Sequence, residues 1–152
     1  MNTKEILLLQ LSACHTQNTW FVSLINSING LTEEQAIWKP NETTNSIVEI
    51  TNHLIYYNQR FLNRFKDIKN AKVTENNTFR SVEGRNWDAT VKQINEIMSE
   101  WNKAVKEADE KKLDNWASEI AHLTIHTTYH TGQILYIRKL QGSWNSEEGV
   151  RG

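Results

Sequence analysis

The sequence predicts an all-α protein that folds as a four-helix bundle. Four stretches repeat apolar residues at steps of three and four, which is the period of an amphipathic helix, and no stretch alternates as a strand would. The 152 residues include six glycines and one proline, so few positions favour turns. Four amphipathic helices without strands bury their apolar faces most simply against one another.

The predicted helices are bounded by start and stop signals. Ser46 and Glu49 form a capping-box pattern at the start of the second helix, and Gly30 and Gly142 follow the first and fourth helices as stops. A further capping-box pattern predicts one short helical turn after Thr32. The four long helices are predicted over residues 3–29, 46–65, 87–108 and 117–140.

The connections indicate how these helices are arranged. Residues 66–86 are polar, lack a helical period and are long enough to cross the length of a helix, so the second and third helices need not be antiparallel. The short charged link at 109–115 predicts that the third and fourth helices are antiparallel neighbours. Gly132 inside the fourth helix costs about 1 kcal/mol relative to alanine, which predicts close packing there. We expect one domain over residues 1–142 and a frayed polar tail over 143–152.

Charge and cysteine content narrow the classes of partner and compartment. The net charge is -1 and the sequence has no run of basic residues, so we expect neither a nucleic-acid partner nor an anionic membrane. The lone cysteine, Cys14, excludes an internal disulfide and predicts a reducing, cytoplasmic location. Residues 11–14 resemble a lipoprotein cleavage box, but the preceding apolar run is short and Glu5 is acidic, which argues against a signal peptide. No stretch is long enough to span a bilayer.

The histidines carry the clearest chemical signal. His122, His126 and His130 follow one another at four-residue steps in the fourth predicted helix, so their imidazoles lie one turn apart on one face. Histidine is the commonest protein metal ligand, but His122 and His130 are about 12 Å apart along the axis and cannot share one ion. Either neighbouring pair needs a third ligand from another helix, and His53 and His15 are the candidates. The alternative is that each histidine is a packing residue.

Other common metal and phosphate motifs are absent from the sequence. There is no His-Glu-x-x-His of the zincin proteases and no glycine-rich phosphate loop. Glu119 and His122 form a single Glu-x-x-His element, whereas di-iron bundles need that element on two helices. A di-iron site is therefore disfavoured.

Three blocks of sequence together resemble a known family. Trp38-Lys39-Pro40, His53 after the Ser46 cap, and His126-x3-His130-x-Gly132-Gln133 are similar to the DinB/YfiT-like metalloenzymes, the damage-inducible DinB family. The resemblance covers nearly the whole chain to residue 142. It implies a four-helix bundle in up-down-down-up order, with a long crossover between helices two and three, commonly as a homodimer.

The resemblance also implies one divalent metal ion per chain, held by three histidines that map to His53, His126 and His130. Imidazole ligands suit zinc or nickel, with iron or manganese as alternatives. An arginine or histidine often follows the last ligand in this family, where this chain has Thr131, which leaves the ligands intact.

Some members of the family are thiol transferases that join bacillithiol or mycothiol to an electrophile, and others are described as hydrolases. We therefore predict a small-molecule enzyme, first a bacillithiol-like thiol S-transferase, with a metal-dependent hydrolase or a non-catalytic, ligand-binding stress-response bundle as alternatives. No catalytic residue is predicted. His122, Glu49 and Gln133 are candidates for orienting the ligand histidines from behind.

Overall fold

The computed structural model describes residues 1–74 and 76–150, and within those ranges the chain is all-α, with no strand. The prediction of an all-helical protein is confirmed. A 3-10 turn at Ser146–Glu148 follows the last helix. The α-helices are α1 (Thr3–His15), α2 (Leu24–Ile28), α3 (Glu33–Ile37), α4 (Ile47–Phe65), α5 (Trp87–Glu107) and α6 (Glu110–Leu140).

The first predicted helix was wrong beyond His15. Instead of continuing to residue 29, the chain leaves the helix and forms the separate short helix α2. The Asn18 side chain accepts hydrogen bonds from the backbone N–H of Ser23 and from the side-chain amide of Asn26. Asparagine and serine side chains compete in this way with the backbone hydrogen bonds of a helix. The apolar period continues across the break because both helices bury residues in the same core.

The starts of α3, α4 and α5 agree with the sequence. The capping boxes at Thr32 and Ser46 are both formed, and α5 begins at Trp87 as predicted. The start of α6 was predicted too late, because the helix begins at Glu110, with the Asp109 side chain accepting from the backbone N–H of Lys112. The charged link is thus the first part of α6, since glutamate and lysine favour helix even where no apolar period marks it.

The predictions for Gly132, inside α6, and for Gly142, just after it, have opposite outcomes. Gly142 adopts a φ of 75° just after the helix, the left-handed conformation expected of a glycine stop. Gly132 does not mark close packing, because a Cβ built there would lie more than 4 Å from every atom beyond its own stretch of helix backbone. The packing explanation for Gly132 was therefore wrong.

The core forms where α1 and α4 each pack against both α5 and α6. The prediction that α5 and α6 are neighbours was wrong, because α1 and α4 lie between them and the short link joins the two helices only at their ends. Trp101 of α5 is fully buried, and its indole N–H donates to the carbonyl oxygen of Asn58 on α4 at 3.2 Å. Other large side chains that are fully or almost fully buried are Leu11, Leu24, Ile28, Ile47, Leu54, Ile94, Met98, Val105, Leu113, Ile120 and Ile134. Because α4 packs against α5 and α6 through these side chains, the face of α4 that is turned toward α6 is determined by the core.

The segments outside the long helices are tied to them by polar contacts. The crossover between α4 and α5, residues 66–86, is anchored where the Asn52 side chain donates to the carbonyl oxygen of Arg80 at 3.0 Å. After α6, Arg138 donates to the carbonyl oxygen of Ser143 at 2.7 Å and lies 5.1 Å from the ring centre of Trp144. Among the described residues, no helix combines the length and apolarity that a bilayer crossing requires.

Candidate metal centre

Three histidines from two helices converge on one point. His53 comes from α4, and His126 and His130 come from successive turns of α6. The Nε2 atom of His126 lies 3.0 Å from Nε2 of His53 and 3.1 Å from Nε2 of His130. One ligand atom from each of the three lies within 4.8 Å of the others. The cluster is placed by the packing of α4 against α6 and by the four-residue step on α6.

The outward-facing nitrogens of two of these rings are held by neighbouring side chains. Nδ1 of His130 lies 2.7 Å from Oε1 of Gln133, and an amide oxygen only accepts, so Nδ1 carries the proton. That tautomer leaves the lone pair of Nε2 directed at the other two histidines. Nδ1 of His53 lies 2.6 Å from the hydroxyl oxygen of Thr78, in the crossover. Such partners fix the orientation of a histidine that binds a metal.

Aromatic rings enclose the cluster. The ring of Phe79 stacks on that of His53 with centres 4.0 Å apart, and Tyr57 meets the same ring edge-on at 4.9 Å. Tyr129 contacts His130 edge-on at 5.1 Å. His53 and His130 are only 8% and 7% exposed as a result. The imidazoles therefore lie in surroundings that disfavour positive charge on the rings.

Burial keeps all three imidazoles in the neutral form that binds metals. It lowers the pKa of His53 to about 4, with a further contribution from the neighbouring His130 and His126. Burial likewise lowers the pKa of His126 and of His130, although the Gln133 hydrogen bond opposes the effect at His130. At neutral pH no proton has to leave before a cation binds.

The arrangement fits a single metal ion. Two nitrogens that each lie about 2.1 Å from one ion are at most about 4.2 Å apart. The Nε2 separations of 3.0 and 3.1 Å are within that limit. The three histidines form a group that could hold a metal, and the donor set is imidazole alone.

Comparison with models of known protein families shows the family to which this chain belongs. A family model described as the DinB superfamily matches residues 22–134. The chain belongs to the DinB superfamily. Comparisons with curated proteins and with solved structures gave no match. The matched residues of this DinB-superfamily chain include all three histidines of the cluster.

Three further residues of this DinB-superfamily protein were predicted to orient the ligand histidines, and only one of them contacts the cluster. Gln133 contacts a cluster histidine, as described above. Glu49 instead accepts from the backbone N–H of Ser46 and pairs with Lys39 at 2.9 Å. His122 is exposed and is not among the three histidines that converge.

The sequence reasoning missed two residues and left one open. Thr78 and Phe79 contact His53 from the crossover, where the only available signal was the unusual length of that connection. His15, the other candidate for a third ligand, lies with its Nε2 atom 2.7 Å from Oδ1 of Asn95 on α5 and is not part of the cluster.

The stability of the metal-free chain is expected to fall by about 1–2 kcal/mol as the pH is lowered from about 7 to about 5. The folded state lowers the pKa of the cluster histidines, so in this range the unfolded chain binds more protons. The stabilisation is complete above the ordinary histidine pKa of about 6.5 and is lost as the pH approaches the folded value of about 4 for His53. Urea unfolding with a chelator present measures the change.

Carboxylates also titrate in this pH range, so two histidine variants are needed to show whether the cluster causes the loss of stability. His53→Gln is expected to reduce the pH dependence, whereas His122→Gln, at an exposed position of α6, should retain it. Equal pH dependence in both variants would show that the cluster is not responsible.

Replacing Gln133 by alanine is expected to weaken divalent-metal binding about 10–100-fold without unfolding the chain. The substitution removes the acceptor that holds the proton on Nδ1 of His130. Competition with a chromophoric chelator measures the affinity. Gln59→Ala is the matched control, because Gln59 donates to Asn63 and its contacts do not include a cluster histidine. Unchanged affinity in the Gln133 variant would remove this residue from the site.

Proposed function

We propose that this chain is a metal-dependent enzyme that transfers a low-molecular-weight thiol, such as bacillithiol, to a small electrophile. His53, His126 and His130 would hold the divalent ion, with zinc or nickel favoured over iron or manganese. The observation that carries the proposal is the convergence of three neutral imidazole nitrogens, backed on their outer sides by Thr78 and Gln133.

Thiol transfer is favoured over hydrolysis by the groups around the cluster. A divalent ion held by neutral imidazoles keeps its charge and can lower the pKa of a thiol, which favours the nucleophilic thiolate. Activation of water for hydrolysis usually also employs a general base. Among the described residues, the metal-ligating group contains no carboxylate, and Glu49 is engaged by Ser46 and Lys39. The thiol would first release its proton to solvent. Its sulfur would then form the carbon–sulfur bond while the leaving group departs with the electron pair of the bond that breaks.

The protein's own residues have separable tasks in this proposal. The histidines fix the position at which the thiol binds, and Gln133 keeps the His130 lone pair directed at that position. Phe79 and Tyr57 pack against the ring of His53 and would limit the access of water to it. These are positioning and desolvating roles, so no single protein side chain has to take up the proton.

The architecture and the surroundings of the enzyme are part of the same proposal. The contacts of α1 and α4 with both α5 and α6 support a four-helix bundle of these helices. Side-chain pairings support the up-down-down-up order, because α6 runs parallel to α1 and antiparallel to α4, and α5 runs antiparallel to α1. We also propose a cytoplasmic homodimer, for which the lone Cys14 and the family resemblance are the support.

The test begins with protein purified without chelator. We expect about one divalent ion per chain by elemental analysis, and an adduct of thiol with a chloronitrobenzene detected by mass spectrometry. The rate should fall after chelation and return with zinc or nickel. Metal-loaded protein that hydrolyses esters but forms no adduct would favour the hydrolase, and metal binding without any turnover would favour a binding protein.

A further inference from the structure

A cavity adjoins the histidine cluster on the side of the crossover. It has a volume of about 530 Å³ and lies between α4 and two stretches of the crossover, residues 71–74 and 77–85. Thr78, whose hydroxyl contacts Nδ1 of His53, is part of its wall. Asn52, the residue before His53, is also part of the wall and anchors the crossover there. The cavity is therefore adjacent to the candidate metal centre and shares Thr78 with its surroundings, but none of the three cluster histidines lines it.

Among the described residues that line this cavity, basic side chains outnumber acidic ones. The described residues that line it include four lysine or arginine side chains and one acidic side chain, Glu83. The chain as a whole has a net charge of -1, so composition does not account for this concentration. The sequence shows no basic run because the cationic side chains come from α4 and from separate points of the crossover: Arg60, Lys72, Arg80 and Arg85.

Arg85 is half-buried, and its hydrogen-bond partners among the described residues are neutral. Its guanidinium donates to Oε1 of Gln93 at 2.6 Å and to the side-chain oxygen of Asn52. Within the described part of the chain, no carboxylate forms an ion pair with it. Burial lowers the pKa of this guanidinium, which shows that desolvation acts on its charge. Removing a cation even partly from water is unfavourable, and an anion bound beside it offsets that cost.

Arg60 supplies a second guanidinium to the same cavity. It donates to the carbonyl oxygen of Ala71 at 3.1 Å and lies 5.4 Å from the ring centre of Tyr56. Its recorded contacts likewise include no carboxylate in residues 1–74 or 76–150. The planar fork of arginine matches the oxygens of a carboxylate or a phosphate. Tyr56 and Ile55 add an apolar wall that suits the carbon skeleton of an organic molecule.

We propose that this cavity binds a small organic anion, through a carboxylate or phosphate group held by Arg60 and Arg85. The volume suits a metabolite-sized ligand rather than a nucleic acid. Binding does not require the metal, because none of the cluster histidines lines the cavity. The proposed anion site is therefore independent of the proposed thiol transfer, and a failure of one proposal would not contradict the other.

The experiment measures anion binding by calorimetry, with inorganic phosphate and with succinate as probes. The protein is kept in chelator, and sodium chloride matches the ionic strength of each titration. We expect saturable binding of at least one probe to the unmodified chain. Arg60→Gln and Arg85→Gln should each weaken it about tenfold or more, since each removes a charge-assisted hydrogen bond. Thermal unfolding shows whether each variant is folded.

Arg64→Gln is the matched control. Arg64 is one turn further along α4, lies over the rings of Phe61 and Trp116, and does not line the cavity. Its replacement should leave the affinity unchanged. If Arg85→Gln does not fold, the Arg60 variant decides. No saturable binding up to about 10 mM of either probe, binding that the Arg60 variant retains in full, or binding that needs the metal would each overturn the proposal.

Discussion

Replacing His126 by alanine is expected to lower the affinity for a divalent metal by more than about 100-fold. His126 is the middle member of the cluster, because its Nε2 atom lies 3.0 Å from that of His53 and 3.1 Å from that of His130. Its loss leaves two imidazoles, fewer than the three protein ligands that a catalytic site usually needs. Competition titration and elemental analysis of the purified variant measure the effect.

His122→Ala makes the same chemical change one turn earlier on α6. His122 is exposed and outside the cluster, so this variant should bind metal as the unmodified chain does. Either variant could also lose metal because its fold is destabilised. Chemical denaturation of both metal-free variants measures the free energy of unfolding and detects that effect. Equal metal affinity in the two variants would refute the three-histidine site.

Replacing Trp101 by alanine is expected to destabilise the fold by about 3–5 kcal/mol. The side chain is fully buried between α4 and α5, where it packs against Phe65 at a ring distance of 5.5 Å. Truncation leaves a large cavity and removes the donor to the carbonyl oxygen of Asn58. Urea unfolding of the variant and of the unmodified chain gives the loss of unfolding free energy. The dependence of that free energy on urea concentration is compared between the two proteins.

Trp20→Ala is the control, because that indole is 97% exposed. It should change the unfolding free energy by less than about 0.5 kcal/mol, the usual range for exposed substitutions. A large loss in the Trp20 variant, or a small one in the Trp101 variant, would show that the core is packed differently.

The helices could be predicted where a start signal, such as a capping box, occurs next to an apolar period that marks the buried face. α5 begins at the predicted Trp87, and α4 begins at the Ser46 capping box. The errors occurred where only one signal was present. An apolar period carried the first helix past the polar residues that break it at Thr16, and the lack of such a period hid the charged start of α6 at Glu110.

The histidine cluster was partly predictable for a geometric reason. A four-residue step brings His126 and His130 together on any helix, so that pair follows from the sequence alone. Choosing His53 required knowing that α4 packs against α6, and the family resemblance supplied that information. Thr78 and Phe79 could not be predicted, since contacts from an irregular crossover depend on where tertiary packing places it.

The two sides of the cluster are separated by 73 residues of chain, from His53 to His126. Unfolding therefore disperses the three nitrogens, while the pair on α6 alone is a weaker ligand. A metal that binds the assembled cluster would draw the folding equilibrium toward the native state by mass action, by about 2.7 kcal/mol at a free concentration of 100 times its dissociation constant. The supply of metal in the cell would then help determine how much of this protein persists in the folded form.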